Sequence, residues 1–167
     1  MTRIGLLSDT HGWLHPGIYE FFKDSDEIWH CGDIGNIEIA DELSEYKILK
    51  AVYGNIDGWD VRVKFPPYLS FQCEEVSVLM THVGGYPGRY DAEARKKILF
   101  EKPGLFVCGH SHILKVIYDK KNELLHINPG AAGKFGLQQV ITFIRFVIDG
   151  KDIRDLEICE HPKNRKV

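Results

Sequence analysis

Long apolar runs are missing from this chain. The amino terminus, MTRIGLLSDTHG, has one basic residue and an apolar stretch that Ser8 and Asp9 cut short. It reads as neither a signal peptide nor a membrane span, and a cytoplasmic protein is the expectation. Paired cysteines are missing too. Cys31, Cys73, Cys108 and Cys159 lie far apart with no Cys-x-x-Cys spacing, which argues against a disulfide framework or a zinc ribbon. They read as small buried apolar residues. Basic charge is not in excess: a formal net charge of -3 gives no general affinity for nucleic acid, so a polyanionic partner would need a local site. Repeats, low-complexity tracts and long linkers are also lacking. What is present, 167 residues with 44% hydrophobic and 27% charged side chains, suits one soluble domain over 1–167.

The first half alternates short apolar runs with helical patterns. Strands are expected at 3–8, 26–32 and 47–54, with helices at 16–24 and 37–46, the second N-capped by Asn36. This βαβαβ order implies a parallel sheet with helices packed on it. The second half is richer in strands. LSFQC and EVSVLMTH flank a turn near Glu74, and HILKVIYD and ELLHINP flank KKN, so each pair predicts a hairpin. A helix is expected at 91–100, capped by Asp91 and stopped before Pro103–Gly104, then a buried strand at 104–109. Residues 138–158 predict two strands about a turn at Asp149–Gly150. The expected fold class is α/β, two sheets packed face to face with helices outside.

Polar residues of one kind sit just past these strands: Asp9 and His11 after the first, Asp33 after the second, Asn55 after the third, His82 after VSVLM, and His110 and His112 after LFVC. Ligand sites in open α/β sheets form at the carboxyl ends of strands, so these seven side chains can converge on one crevice. Any one of them alone would pass as a turn residue or a satisfied histidine. Together they would be mutually repulsive and poorly satisfied without a metal.

The motifs SDTHG (8–12), CGDIG (31–35), YGNID (53–57), MTHVGG (80–85) and CGHSH (108–112), with INPGAAG (127–133) after them, resemble the calcineurin-like metallophosphoesterases, in particular their small single-domain phosphodiesterases. The resemblance implies a four-layer α/β/β/α sandwich and two divalent metal ions. It makes Asp9, His11 and His112 ligands of one ion, Asn55, His82 and His110 ligands of the other, and Asp33 the bridge. Mixed oxygen and imidazole donors suit Mn²⁺, Fe²⁺, Zn²⁺ or Ni²⁺ better than Mg²⁺ or Ca²⁺. No thiolate is needed, so Cys31 and Cys108 are expected to pack behind the site.

Two such ions can share a hydroxide and support in-line displacement at phosphorus, with Asp33, Asn55 and His82 closest to the chemistry. Two dications, offset by Asp9, Asp33 and a hydroxide, leave one positive charge, which a phosphodiester monoanion neutralises and a monoester dianion overshoots. Many relatives carry His directly after the motif asparagine as a general acid; here that residue is Ile56. Substrates whose leaving groups need little protonation, such as aryl phosphodiesters, are therefore expected. Asp57 reads as a turn or supporting residue and Gly54 as the residue that lets the chain turn; Arg89 and Tyr86 in GGYPGRY reach substrate or, more simply, solvent. Loops 12–17 and 84–90 would set specificity for a small phosphoester. The sequence leaves an oligomer open. The rival reading is an interaction scaffold like the small retromer subunit, which resembles the same fold with a degraded metal site.

Overall fold

Residues 1–163 are described by a computed structural model. The strands are β1 Thr2–Leu7, β2 Glu27–His30, β3 Ile48–Ala51, β4 Tyr68–Cys73, β5 Val76–Thr81, β6 Gly85–Tyr86, β7 Arg89–Tyr90, β8 Leu105–Val107, β9 Leu114–Asp119, β10 Leu124–Pro129, β11 Val140–Asp149 and β12 Asp152–Pro162. The helices are α1 Gly17–Phe21, α2 Ile37–Tyr46, α3 Trp59–Arg62 and α4 Ala92–Glu101.

Two mixed five-stranded sheets result, one in the order β12-β11-β1-β2-β3 and the other β4-β5-β8-β10-β9. In the first, β1, β2 and β3 run parallel, with Leu7 opposite His30 and His30 opposite Ala51. Parallel neighbours require crossovers, which carry α1 and α2. In the second, β5, β8 and β10 run parallel, with Met80 opposite Val107 and Val107 opposite Ile127. The carboxyl ends of these strands in the two sheets form one rim.

Burial separates the layers. Ile4, Leu6, Trp29, Ile144 and Phe146 of the first sheet, with Val52 just past β3, pack against Val78, Met80, Leu105, Val107 and Ile127 of the second, forming a core between the sheets. On the outer face of the first sheet Leu7, Ile28 and Phe143 meet Ile18 and Phe22 from the α1 segment and Ile39, Ala40 and Leu43 of α2. On the outer face of the second, Leu79, Phe106 and Leu124 meet Ala94 and Ile98 of α4. The helix–sheet–sheet–helix order is thus the expected four-layer sandwich.

Local chemistry sets the helix ends. The Asn36 carboxamide oxygen accepts from Ile39 N–H at 3.2 Å, and the Asp91 carboxylate accepts from Glu93 and Ala94 N–H. Lys102 closes α4 in a left-handed conformation, φ 50°, immediately before Pro103. The first helix is shorter than the pattern over 16–24 predicts. Phe22 leaves it to seat its ring over Gly5, where an added Cβ would lie 2.7 Å from the ring, and Asp26 N–H then bonds Arg3 O. Residues 52–54, expected in the third strand, leave the sheet to form a site loop. α3 and the β6–β7 hairpin arise where the sequence pattern suggested only loop.

Candidate metal centre

The seven side chains named from the sequence all reach this rim. Asp9, His11 and His112 form one group, and Asp33, His82 and His110 a second, each with its ligand-type atoms within 4.8 Å of one another. Asn55 joins the second through its carboxamide oxygen, 3.0 Å from His110 Nδ1.

Backbone conformation aims them. Asp9, His11, Asp33, His110 and His112 all have positive φ, between 47° and 69°. Side chains other than glycine rarely adopt this region, and such strain of roughly 1–3 kcal/mol per residue persists only where the surroundings enforce it. Here the enforcement is a lattice of loop-to-loop bonds: Asp9 N–H to Gly32 O, His11 N–H to Asp33 O, and Gly109 N–H to His82 O.

Each carboxylate is anchored by one oxygen and presents the other. Asp9 Oδ2 accepts from Ser8 O–H at 2.7 Å and His110 N–H at 3.1 Å; its Oδ1 lies 3.1 Å from His112 Nε2 and 3.8 Å from the Nε2 atoms of His11 and His82. Asp33 Oδ1 accepts from Ile56 N–H at 3.0 Å, and its Oδ2 lies 3.6 Å from His11 Nε2 and 3.2 Å from His82 Nε2. Asp33 Oδ2 therefore stands between the two groups.

The imidazoles are oriented from behind. His82 Nδ1 donates to Cys31 O at 2.7 Å and His112 Nδ1 to Gln138 Oε1 at 3.0 Å, so each Nε2 carries the free lone pair. The Nε2 atoms of His11 and His82 are buried with no hydrogen-bond partner. Buried polar atoms are rarely left so, and lone pairs aimed among carboxylates match the needs of a cation. The donors present thus fit divalent ions with mixed N and O coordination.

Electrostatics agree. Burial pushes Asp9 upward, but His11 and His112, with His82 and Ser8, outweigh it and hold the carboxyl well below the usual range. Asp33 is raised by burial and lowered more by His82 and the Ile56 N–H, ending below its ordinary value. Both carboxylates are ionised at neutral pH. Burial lifts the Cys31 thiol well above its normal value and takes Cys108 to about 12, so both are inert packing behind the site.

Asp57 takes the supporting role expected of it, and several other supporting residues escape sequence reasoning. Asp57 is buried, and its carboxylate accepts from Gly54, Ile34 and Gly35 N–H, stapling the 31–35 loop to the 53–57 loop. Arg62 in α3 donates to Asp57 O and Asn55 O and lies 4.6 Å from the Tyr53 ring centre. His30 links Thr10 Oγ1, at 2.9 Å, to Gly32 N–H, at 3.1 Å. Phe135 stacks on His11 with ring centres 5.1 Å apart. The Asp-Gly pair hinted at Asp57; nothing in the sequence marks Gln138 or Phe135. Gly54 serves a different need from the expected turn: its φ is not left-handed, and an added Cβ would lie 2.1 Å from Asp33 Oδ1. Arg89 is exposed to solvent, while Tyr86 carries Lys115 Nζ 4.0 Å from its ring centre.

Among the described residues no helix is long and apolar enough to cross a membrane. The chain is 27% identical over 135 residues to a probable metallophosphoesterase of Methanocaldococcus jannaschii, covering 77% of this chain and 67% of that protein. Among solved structures it is similar to a novel archaeal phosphodiesterase, with TM-score 0.73 and 22% identity over 94% of this chain and 99% of the other. It is likewise similar to Vps29 of Chaetomium thermophilum, with TM-score 0.75 and 13% identity over 98% of this chain and all of the other. At those identities the likeness shows the fold alone. The calcineurin-like phosphoesterase superfamily domain matches residues 2–151, across the whole motif series from Asp9 to His112, and the chain belongs to that family.

Proposed function

We propose that the protein is a dinuclear metal-dependent phosphodiesterase acting through one domain over 1–167. Family membership supports a metal-dependent phosphoesterase. The observation that carries the finer reading is the pair of three-residue donor groups flanking Asp33, with the lone pairs of His11 and His82 unsatisfied. Asp9, His11 and His112 hold one ion, Asn55, His82 and His110 the other, and Asp33 both. When bound, two such ions polarise the phosphoryl group and acidify water for attack at phosphorus.

The chain's own contribution is placement. Asp57, Arg62 and the backbone of Ile56 hold Asp33 and Asn55 in register, and Gln138 and the Cys31 carbonyl hold His112 and His82. Ile56 is 47% exposed and presents an apolar side chain where a proton donor would assist departure of the leaving group. That loss is typically worth ~10²–10⁴ in rate for poor leaving groups. Aryl phosphodiesters, which leave unaided, are accordingly the preferred class.

The fold likeness to Vps29 favours a second reading, an interaction scaffold. Five donor residues held in left-handed conformations support the enzyme, because a scaffold has no use for strain at those residues. The test is metal content with turnover of bis-p-nitrophenyl phosphate and p-nitrophenyl phosphate, supplied with Mn²⁺, Ni²⁺, Zn²⁺ or Fe²⁺ and checked with a chelator. Diester turnover exceeding monoester turnover, abolished by chelation, is expected; inertness toward both with every metal would favour the scaffold.

A further inference from the structure

A cavity of about 70 Å³ opens beside the metal centre, between the β6–β7 hairpin and strands β9 and β10. Ser111, which lies between His110 and His112, forms its near wall, and Gly85, Tyr86, Ile113, Lys115, His126 and Asn128 form the rest. At ~15 Å³ per water it accommodates a few waters or one small oxyanion, and no nucleoside.

Two of its polar groups have donors to spare. Ser111 Oγ already accepts from Asn128 Nδ2 at 3.0 Å and from Ile113 N–H at 3.2 Å, so its own hydrogen remains to be given away. Lys115 Nζ rests on the Tyr86 ring and pairs with no carboxylate among the described residues. His126 is 1% exposed, its ring set against Phe106 and Tyr90, and its Nδ1 is buried without a hydrogen-bond partner. No acidic side chain lines the cavity. A lysine with no carboxylate partner among the described residues and a hydroxyl with an unused hydrogen, in a cavity without acidic lining, match an anion and disfavour a cation.

We propose that this cavity is an anion subsite that seats a second acidic group, a carboxylate or a phosphate, of a phosphodiester bound at the metal centre. The inference rests on the phosphodiesterase reading and narrows its substrate class to diesters carrying one further negative charge. Lys115 supplies charge and Ser111 supplies direction, while the buried His126 ring forms part of the wall. The site also gives the β6–β7 hairpin a role, since Tyr86 holds the Lys115 ammonium in place.

The test compares kcat/KM for methyl p-nitrophenyl phosphate with that for ω-carboxyalkyl p-nitrophenyl phosphates of graded arm length. For one arm length a gain of about tenfold over the methyl ester is expected, the size of one charge-assisted hydrogen bond. Lys115→Met should remove the gain, Lys115→Arg should restore part of it, and Lys120→Met, at an exposed lysine away from the cavity, should keep it. No gain at any arm length, or a gain that survives Lys115→Met, overturns the proposal. Sulfate titration followed at the His126 ring nitrogens by NMR stands apart from turnover. A saturable shift lost in Lys115→Met supports the subsite, and an unmoved ring, meaning a cavity that holds water only, overturns it. If neither ester is hydrolysed, the phosphodiesterase reading fails, and the sulfate titration alone decides whether the cavity binds anions.

Discussion

The two donor groups meet at Asp33 yet differ in how they are held. In the first, Asp9 is fully buried, His112 is braced by Gln138 and His11 is covered by Phe135. In the second, His82 is as well buried and braced, but His110 and Asn55 are exposed and lean on each other at 3.0 Å. One group is buried or half-buried throughout; the other has an open limb facing solvent. On the proposed reading, substrate and exchangeable ligands would enter at the second group and the first would be the more permanent anchor, since preorganised and desolvated donors release a cation more slowly.

The sharpest way to break this contrast is to remove what the groups share. Asp33→Ala should lower kcat on the order of 10³-fold, several kcal/mol of lost metal assistance, and reduce bound metal from both positions. Turnover with elemental analysis reads both, and a full metal complement would refute the bridging role. Next in size are changes confined to one group. Gln138→Leu should weaken one ion by about 10–100-fold through loss of the His112 brace, whereas Asn55→Ala should strip the other. Chelator competition should then show the second group emptying first in the native protein. Unchanged activity and metal ratio in Asn55→Ala would remove Asn55 from the assignment.

A smaller effect is expected at Ile56. Its backbone already bonds Asp33, so Ile56→His adds a proton donor at the open limb without moving that bond. Hydrolysis of alkyl diesters relative to p-nitrophenyl diesters should rise by about tenfold, at the low end of general-acid contributions. No change in that ratio would mean that leaving-group protonation does not limit the rate.

The mildest test concerns the floor beneath both groups. His30 ties Thr10, next to Asp9, to Gly32, next to Asp33, and burial pushes its pKa down to about 4. A folded pKa below the unfolded value near 6.5 means that the unfolded chain takes up the proton first. The His30 contribution to stability is therefore complete above about 6.5 and is lost as pH falls toward 4, by roughly 1.4 kcal/mol per pH unit, and His126, likewise pushed down to about 4 by burial, adds a second contribution of the same sign. Asp9 and Asp33, held below the ordinary carboxylate range, titrate beneath this window. Urea unfolding between pH 7 and pH 4 measures the slope, and His30→Gln should flatten it.

The parts legible in the sequence are those whose chemistry is local. Asp, Asn and His directly after apolar runs announced a metal crevice because strand ends in parallel sheets face one rim, and Asn36 and Asp91 announced helix starts because a side-chain oxygen three residues before an apolar turn caps its free N–H groups. Phe22 breaking from its helix was not legible, since the space it fills is created by Gly5 on another strand. Nor was Gln138, which meets His112 only because β11 returns beside β1.

The sequence by itself determined which side chains are candidate metal ligands and that residue 56 brings no proton. The tertiary structure decided which imidazole nitrogen faces inward, which carboxylate oxygen is spent on the backbone, and which donors remain open to solvent. The physical reason is distance along the chain: the Cys31 carbonyl that selects the His82 tautomer lies 51 residues away, and the His110 N–H that occupies Asp9 Oδ2 lies 101 residues away.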